Sequence, residues 1–253
     1  MVAAVAMVGL VTTSANADVV NVASVTGHDG GNWPATLGHL TDMVNGSNVG
    51  GIGTNDHNPG MDISADPTDP ATWLYLGSSW QTEWKANSRL DSNTASNSKI
   101  GWAALDLGGV IGGLDKMYLW NVRFQNDTEN VATYNIYYSD TPTVGLPSTP
   151  NSKQNIGDYD FSSGGWTLLN GGGALGLAQN TSNNNTPQSI VALGGISAQY
   201  IGLEILTAGN GTVAGRVGLA QVEITSAAAI PEPASLAFLG LGGVMMLVRR
   251  RRG

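Results

Sequence analysis

The chain contains no cysteine, so a disulfide framework and thiolate metal sites are excluded at the outset. Charge is scarce: Asp, Glu, Lys and Arg make up 12% of the residues, about half the usual share of roughly 25%. Histidine occurs only at His28, His39 and His57, with none of the His-x-x-x-His spacing that suits a metal. There is no Gly-x-Ser-x-Gly elbow, and Gly50-Gly51-Ile52-Gly53 lacks the strand and helix that a phosphate-binding loop needs. The acidic stretch Asp56–Asp69 fails as an EF-hand, with Gly60 at its fifth position and Pro67 where a glutamate belongs. It reads as a solvated loop. Catalysis finds little footing, although a carboxylate pair for glycoside hydrolysis is set by geometry and not by spacing.

What is present is a chain of 253 residues with 35 glycines and 10 prolines, short of a low-complexity composition. Its charge is unevenly placed, since Arg249, Arg250, Arg251 and Arg252 are four of its eleven basic residues. Residues 18–229 hold seven basic against 18 acidic side chains, a net charge of −11. Phosphate backbones and anionic lipid heads repel such a body, so nucleic acid is not an expected partner.

Both ends read as addresses. The apolar run Met1–Val11 is followed by Thr12-Thr13-Ser14 and Ala15-Asn16-Ala17, the small-x-small ending of a secretory signal peptide over residues 1–17. A basic flank before the run is missing, so the true start is expected upstream. At the other end, Ile230-Pro231-Glu232-Pro233 precedes the apolar Ala234–Val248 and then the four arginines. Fifteen residues at helical rise give about 22 Å, short of a roughly 30 Å hydrocarbon core, but snorkelling arginines extend the reach. The cationic flank sets the arginines in the cytoplasm and the body outside. This order over residues 230–253 resembles the PEP-CTERM sorting signal of bacterial exported proteins. The resemblance implies an exosortase-type processing enzyme as partner and transient membrane anchoring through the C-terminal helix. It also implies delivery to the cell surface or extracellular matrix. Pro231, Glu232 and Pro233 are then recognition residues, and the prolines keep the linker extended.

Between the ends, residues 18–229 read as strands. Alternating or continuous apolar runs recur at Val19–Val25, Trp102–Leu107, Lys116–Phe124, Val131–Tyr138, Trp166–Leu169, Ser189–Leu193, Gln199–Leu206 and Val217–Thr225. Tyr118, Trp120, Val122 and Phe124 share a face, as do Ala132, Tyr134, Ile136 and Tyr138. Ile201, Leu203 and Ile205 oppose Glu204, while Ala220, Val222 and Ile224 oppose Gln221 and Glu223. No segment carries a helical period. Seven or eight strands with long polar loops predict an all-β sandwich whose loops carry function.

The phrase Gly101-Trp102-Ala103-Ala104-Leu105-Asp106-Leu107-Gly108 resembles a strand of the discoidin, or F5/8 type C, family. Met43-Val44-Asn45-Gly46, Trp84, Leu119-Trp120-Asn121, Tyr134–Asp140, Trp166-Thr167-Leu168, Tyr200–Glu204 and Gly218–Ile224 follow that family's order. The resemblance implies a discoidin-like, galactose-binding-like jelly-roll β-sandwich, a group that includes carbohydrate-binding modules. It also implies a structural calcium, held by carbonyls of Asp42, Ser47 and Ala220 and by side chains of Asn45 and Gln221. Asn45 and Gln221 stand where the family usually has carboxylates, and calcium affinity falls with ligand charge, so the expectation leans against an intact site.

Strand tryptophans are expected in the core, whereas Trp33, Trp73, Trp80 and Trp84 lie in or beside loops. Trp80 is the first candidate for stacking on a sugar ring and Trp73 the second. Arg89, Asn121 and Arg123 are candidate hydrogen-bond donors to sugar hydroxyls. The resulting expectation is an exported module, not an enzyme, that binds extracellular polysaccharide or another glycan. The alternative is a structural matrix protein that binds no sugar. A polysaccharide-acting hydrolase of concanavalin-like fold ranks below both.

The sorting motif generates a direct test in cells that carry an exosortase-type system. Replacing Pro231 and Pro233 by Ala is expected to leave unprocessed protein in the membrane on fractionation, whereas normal release would contradict the sorting reading.

Overall fold

The structure, a computed structural model, describes residues 18–27, 40–44, 61–62, 65–66, 69–75, 84–86, 101–122, 130–142, 145–146, 159–171, 173–180, 186–209 and 217–227. Among them are eleven strands: β1 (Asp18–Val19), β2 (Ser24–Gly27), β3 (Met61–Asp62), β4 (Leu74–Tyr75), β5 (Trp84–Ala86), β6 (Gly101–Asn121), β7 (Val131–Ser139), β8 (Thr167–Leu168), β9 (Leu175–Gly176), β10 (Ser189–Ala208) and β11 (Val217–Ser226). The only helical elements among these residues are two 3-10 turns, Leu40–Met43 and Pro70–Thr72. The expected signal peptide and C-terminal apolar segment lie outside the described residues.

The frame is one antiparallel ladder between β6 and β10, running from Ser189↔Leu119 to Ile205↔Gly101. The sequence predicts two strands in each of these stretches; the structure joins each pair into one strand of 21 and 20 residues. Glycine makes this continuity feasible. Gly108 and Gly113 in β6 and Gly194 and Gly195 in β10 all have φ between 65° and 84°, a region open to glycine at little cost. Register shifts lie between Ala192 and Tyr200, so the ladder passes the glycines through bulges that bend and twist the strands.

Each long strand therefore serves two layers. The N-terminal part of β6 and the C-terminal part of β10 pair with β2 and β7, and β7 carries β8 and β9. The C-terminal part of β6 pairs with β11, which carries β1 and β5. Side chains from both layers meet in one inner core: Ala103, Leu105, Ile136 and Leu203 from the first, Met117, Leu119, Val222 and Ile224 from the second. The result is an all-β antiparallel sandwich. Each fully buried Leu or Ile contributes roughly 1.5–3 kcal/mol.

Period two also buries the outer faces. Trp102, Ala104 and Tyr137 lie on the outside of the first layer beneath Tyr159 and Phe161, with Trp166 and Leu168 against them. Tyr118, Trp120 and Ala220 lie outside the second layer with Trp73. The expected core positions of Trp102, Trp120 and Tyr134 are met, each at 2% exposure or less, while Trp166 and Tyr200 are half-buried. One predicted alternation is corrected. A register shift between Leu219 and Gln221 turns Ala220 to the outer cluster, while Val222 and Ile224 face the inner core. Gln221 and Glu223, expected opposite the core, are buried as well because this outer face is covered.

Packing at the strands sets different tolerances for different glycines. A Cβ on Gly27 would lie 2.5 Å from the Trp102 carbonyl oxygen and 2.7 Å from Ala103 Cα, both backbone atoms of the paired strand; one on Gly109 meets nothing within 4 Å. Gly27→Ala is expected to cost about 1–3 kcal/mol, and Gly109→Ala to change stability by about 0.5 kcal/mol or less. Urea unfolding of both variants checks this; equal midpoints would contradict the packing.

Candidate functional site

Most buried polar side chains of the sandwich are engaged in holding it together. Asn121, fully buried at the end of β6, donates through Nδ2 to Val131 O at 2.9 Å and Ala178 O at 3.0 Å. Its Oδ1 accepts from Val131 N at 2.9 Å. The side chain thus joins the end of β6 to the start of β7. Asn180 extends the network, donating from its backbone N–H to Asn130 Oδ1 at 3.3 Å. On the outer face of the first layer, Glu204 Oε2 accepts from Asn135 Nδ2 at 2.9 Å and from the Tyr137 hydroxyl at 3.1 Å. Near the bend, Asp106 Oδ1 accepts from Gly108 N and from Gln199 Nε2.

One region is different. A groove of about 340 Å³ lies where β7 ends, lined by Tyr138, Ser139, Asp140, Thr141, Gly165, Thr167 and Ser197. This volume is within the roughly 300–1,000 Å³ of small-molecule sites. Tyr138 and Ser139 come from the last residues of β7, and Asp140 and Thr141 follow as the chain leaves the sheet. Gly165 and Thr167 form a second wall, and Ser197 reaches in from the bent part of β10.

The second wall is fixed by aromatic packing. Phe161 lies over Gly202, where a Cβ would fall 2.5 Å from the ring. Trp166 meets Phe161 edge-on at 4.9 Å and Tyr200 at 6.4 Å, and its Nε1 donates to the Tyr159 hydroxyl at 2.9 Å. Such contacts hold the segment more firmly than area burial alone. Ser139 Oγ donates to Gly165 O at 2.8 Å and ties the two walls together. Among the described residues, the side chains of Tyr138, Asp140, Thr141, Thr167 and Ser197 make no hydrogen bond. Three hydroxyls and a carboxylate in the groove lining therefore have no internal partners, while the Tyr138 ring packs against the inner core.

The site residues expected from sequence are distributed differently. Trp73 is withdrawn from the stacking set: it is fully buried with Tyr118 and Trp120, and its Nε1 donates to Asp66 O at 2.8 Å. Asp69 caps the Pro70–Thr72 turn that seats it, accepting from Ala71 N at 3.0 Å. Asn121 is likewise corrected, because its amide is consumed by the backbone of Val131 and Ala178 and presents nothing to a sugar. Trp84 lies in β5, paired with Leu219. Trp80, Arg89 and Arg123 lie outside the described residues, as do the seven sorting-motif residues. Of the five calcium positions, Asn45 and Ser47 also lie outside them, and Asp42 sits in the Leu40–Met43 turn. Ala220 and Gln221 are buried in β11, where Gln221 Nε2 donates to Glu223 Oε1 at 2.8 Å. A neutral amide committed to a neighbouring carboxylate does not fit the anionic oxygen donor that calcium favours. No group of three or more His, Asp or Glu converges among the described residues.

The groove was not anticipated from sequence. Its signal is the run Tyr138-Ser139-Asp140-Thr141, where apolar alternation gives way to four consecutive hydroxyl or carboxylate side chains at a strand end.

No protein-family model and no curated protein matches the chain. Among solved structures it is similar to the CBM32 of AlyQ in complex with 4,5-unsaturated mannuronic acid, at 13% identity and a TM-score of 0.40. That match covers 82% of this chain and 97% of the other. It is similar to the family 32 CBM from C. perfringens NanJ in complex with galactose, at 12% identity and a TM-score of 0.40, over 80% and 93% of the two chains. An F5/8 type C domain from Bacteroides fragilis is similar at 11% identity and a TM-score of 0.36, over 58% of this chain and 74% of that one.

The polar cluster on the first layer has a pH signature. Burial, reinforced by the facing Glu204 carboxylate, pushes the Tyr137 phenol up to about 12, from an ordinary value near 10. The neutral phenol is the form the fold prefers. Its contribution to stability is full below about pH 10 and is lost as the pH rises towards about 12. Burial also raises Tyr118 and Tyr134, which add to the same decline. Tyr137→Phe is expected to flatten part of that decline in urea melts at about pH 9 and about pH 11. An unchanged slope would contradict the assignment.

Proposed function

We propose that the chain is an exported bacterial surface or extracellular-matrix protein whose sandwich is a non-catalytic, discoidin-like carbohydrate-binding module. The groove at the end of β7 is proposed as its glycan site. The observation that carries this reading is the set of unpartnered polar side chains there: Asp140, Thr141, Thr167 and Ser197 line one open groove. Hydroxyl side chains both donate and accept, as sugar hydroxyls do, and a carboxylate accepts from two at once.

The groove lining contains one carboxylate, whereas most glycoside hydrolysis uses two, about 5–10 Å apart. This supports binding over hydrolysis. Trp80, Trp84, Arg89 and Arg123 are proposed as a second contact. Calcium is not proposed as a requirement, because Gln221 is turned to Glu223. Export and processing by an exosortase-type enzyme rest on residues 1–17 and on the Pro231–Arg252 motif. The C-terminal segment would hold the chain transiently at the membrane with its arginines cytoplasmic.

A glycan-array screen of the purified protein, followed by titration of the best ligand, tests this. Asp140→Ala and Thr167→Val are each expected to weaken binding roughly tenfold, the loss of about one hydrogen bond to a charged or well-placed group. Neither is expected to change Tm. Loss through Trp80→Ala alone would move the site to the loops. A blank from folded protein would favour the structural matrix reading.

A further inference from the structure

We infer that the groove discriminates by charge: it takes neutral glycans and rejects uronate or sulfated ones. This rests on the groove being the glycan site, and adds which class of glycan enters. Every side chain in the lining that can hydrogen-bond is a hydroxyl except Asp140, and no Lys, Arg or His is among the lining residues. A carboxylate is acceptor-only, so Asp140 is satisfied by ligand groups that donate. A neutral sugar ring offers adjacent hydroxyls, two of which can donate to the two oxygens of one carboxylate. A uronate carboxylate or a sulfate offers only acceptors, and placed against Asp140 it meets like charge as well as a missing donor.

The wider field acts in the same direction. Residues 18–229 carry a net charge of −11, and such a field lowers the local concentration of anionic ligands and slows their association. Among described side chains, Lys116 is paired with Asp115 at 3.8 Å on the second layer. On the elements packed around the groove, the charged groups described are Asp140 itself, Asp160 at the start of the aromatic segment, and Glu204 on β10. All are acids.

The experiment uses matched oligosaccharides of equal length: gluco-, galacto- and manno-oligomers beside their uronate counterparts, which differ at C6. Calorimetric titration is run at about 20 mM and about 300 mM salt, below and above the range where screening removes surface electrostatics. The expected result is that at least one neutral oligomer binds and its uronate binds tenfold or more weakly at low salt, with the gap narrowing at high salt. Asp140→Asn keeps the shape and adds a donor, so it is expected to shrink the neutral-to-uronate ratio to threefold or less. A uronate bound as tightly as its neutral partner would overturn the inference while leaving glycan binding intact. An Asp140→Asn ratio equal to that of the original chain would also overturn it. Failure of every neutral and uronate oligomer to bind the folded protein would instead remove the glycan reading on which it rests.

Discussion

The hydrogen-bonded ladder between β6 and β10 is the constraint on which the rest of the structure depends. It pairs Gly101–Leu119 with Ser189–Ile205 along nearly the whole of both strands, and every other strand of the main sheet attaches to one of its halves or to a neighbour of one. A straight ladder of that length would leave both of its apolar faces extended in water. The four glycines with positive φ and the shifts between Ala192 and Tyr200 let the ladder turn a corner while keeping its hydrogen bonds on either side. The two halves then bury one common inner core, and a short run of shifted pairing replaces a pair of separate sheet edges.

The corner also places the groove. Ser197 belongs to the shifted part of β10, just before the point where Tyr200 pairs with both Asp106 and Ser139. Beyond that row β7 ends and its chain leaves the sheet, so Asp140 and Thr141 project from a strand end that the bent ladder no longer covers. The aromatic segment from Tyr159 to Trp166 closes the outer face of the first layer and fixes Gly165 and Thr167 opposite β7. Rigid packing on one side and unpartnered polar groups on the other give the proposed site little to reorganise on binding, which limits the ordering cost of association.

The sequence was informative where period two was unbroken. Ile201, Leu203 and Ile205 face the inner core opposite Glu204, and Tyr134 and Ile136 share that core, as alternation alone predicts. It failed where local geometry changed phase. The predicted strands end at Leu107 and Leu193, yet the glycines beyond them are bends within a continuous strand, because a positive φ can terminate or merely redirect a ladder. The shift beside Ala220 reversed its face, and no residue type announces such a bulge. Trp73 illustrates a different limit. Its neighbours are loop-like, yet a capped 3-10 turn seats the indole against Trp120 and Tyr118, a long-range contact that composition does not encode. Asn121 reads as a ligand donor in the sequence because an amide at a strand end is ambiguous until its backbone partners are known. The groove is not legible in the sequence because its residues come from three places in the chain, brought together by the corner and the aromatic segment.

The central claim is that this strand-end groove is where a glycan binds. The most direct measurement is an NMR titration of the isotopically labelled protein with the best ligand from the array. Progressive amide shifts at Ser139, Asp140, Thr141, Gly165, Thr167 and Ser197, with Asn121 and the β11 amides still, are the expected result. Saturable binding whose shifts leave those six residues unmoved would contradict it.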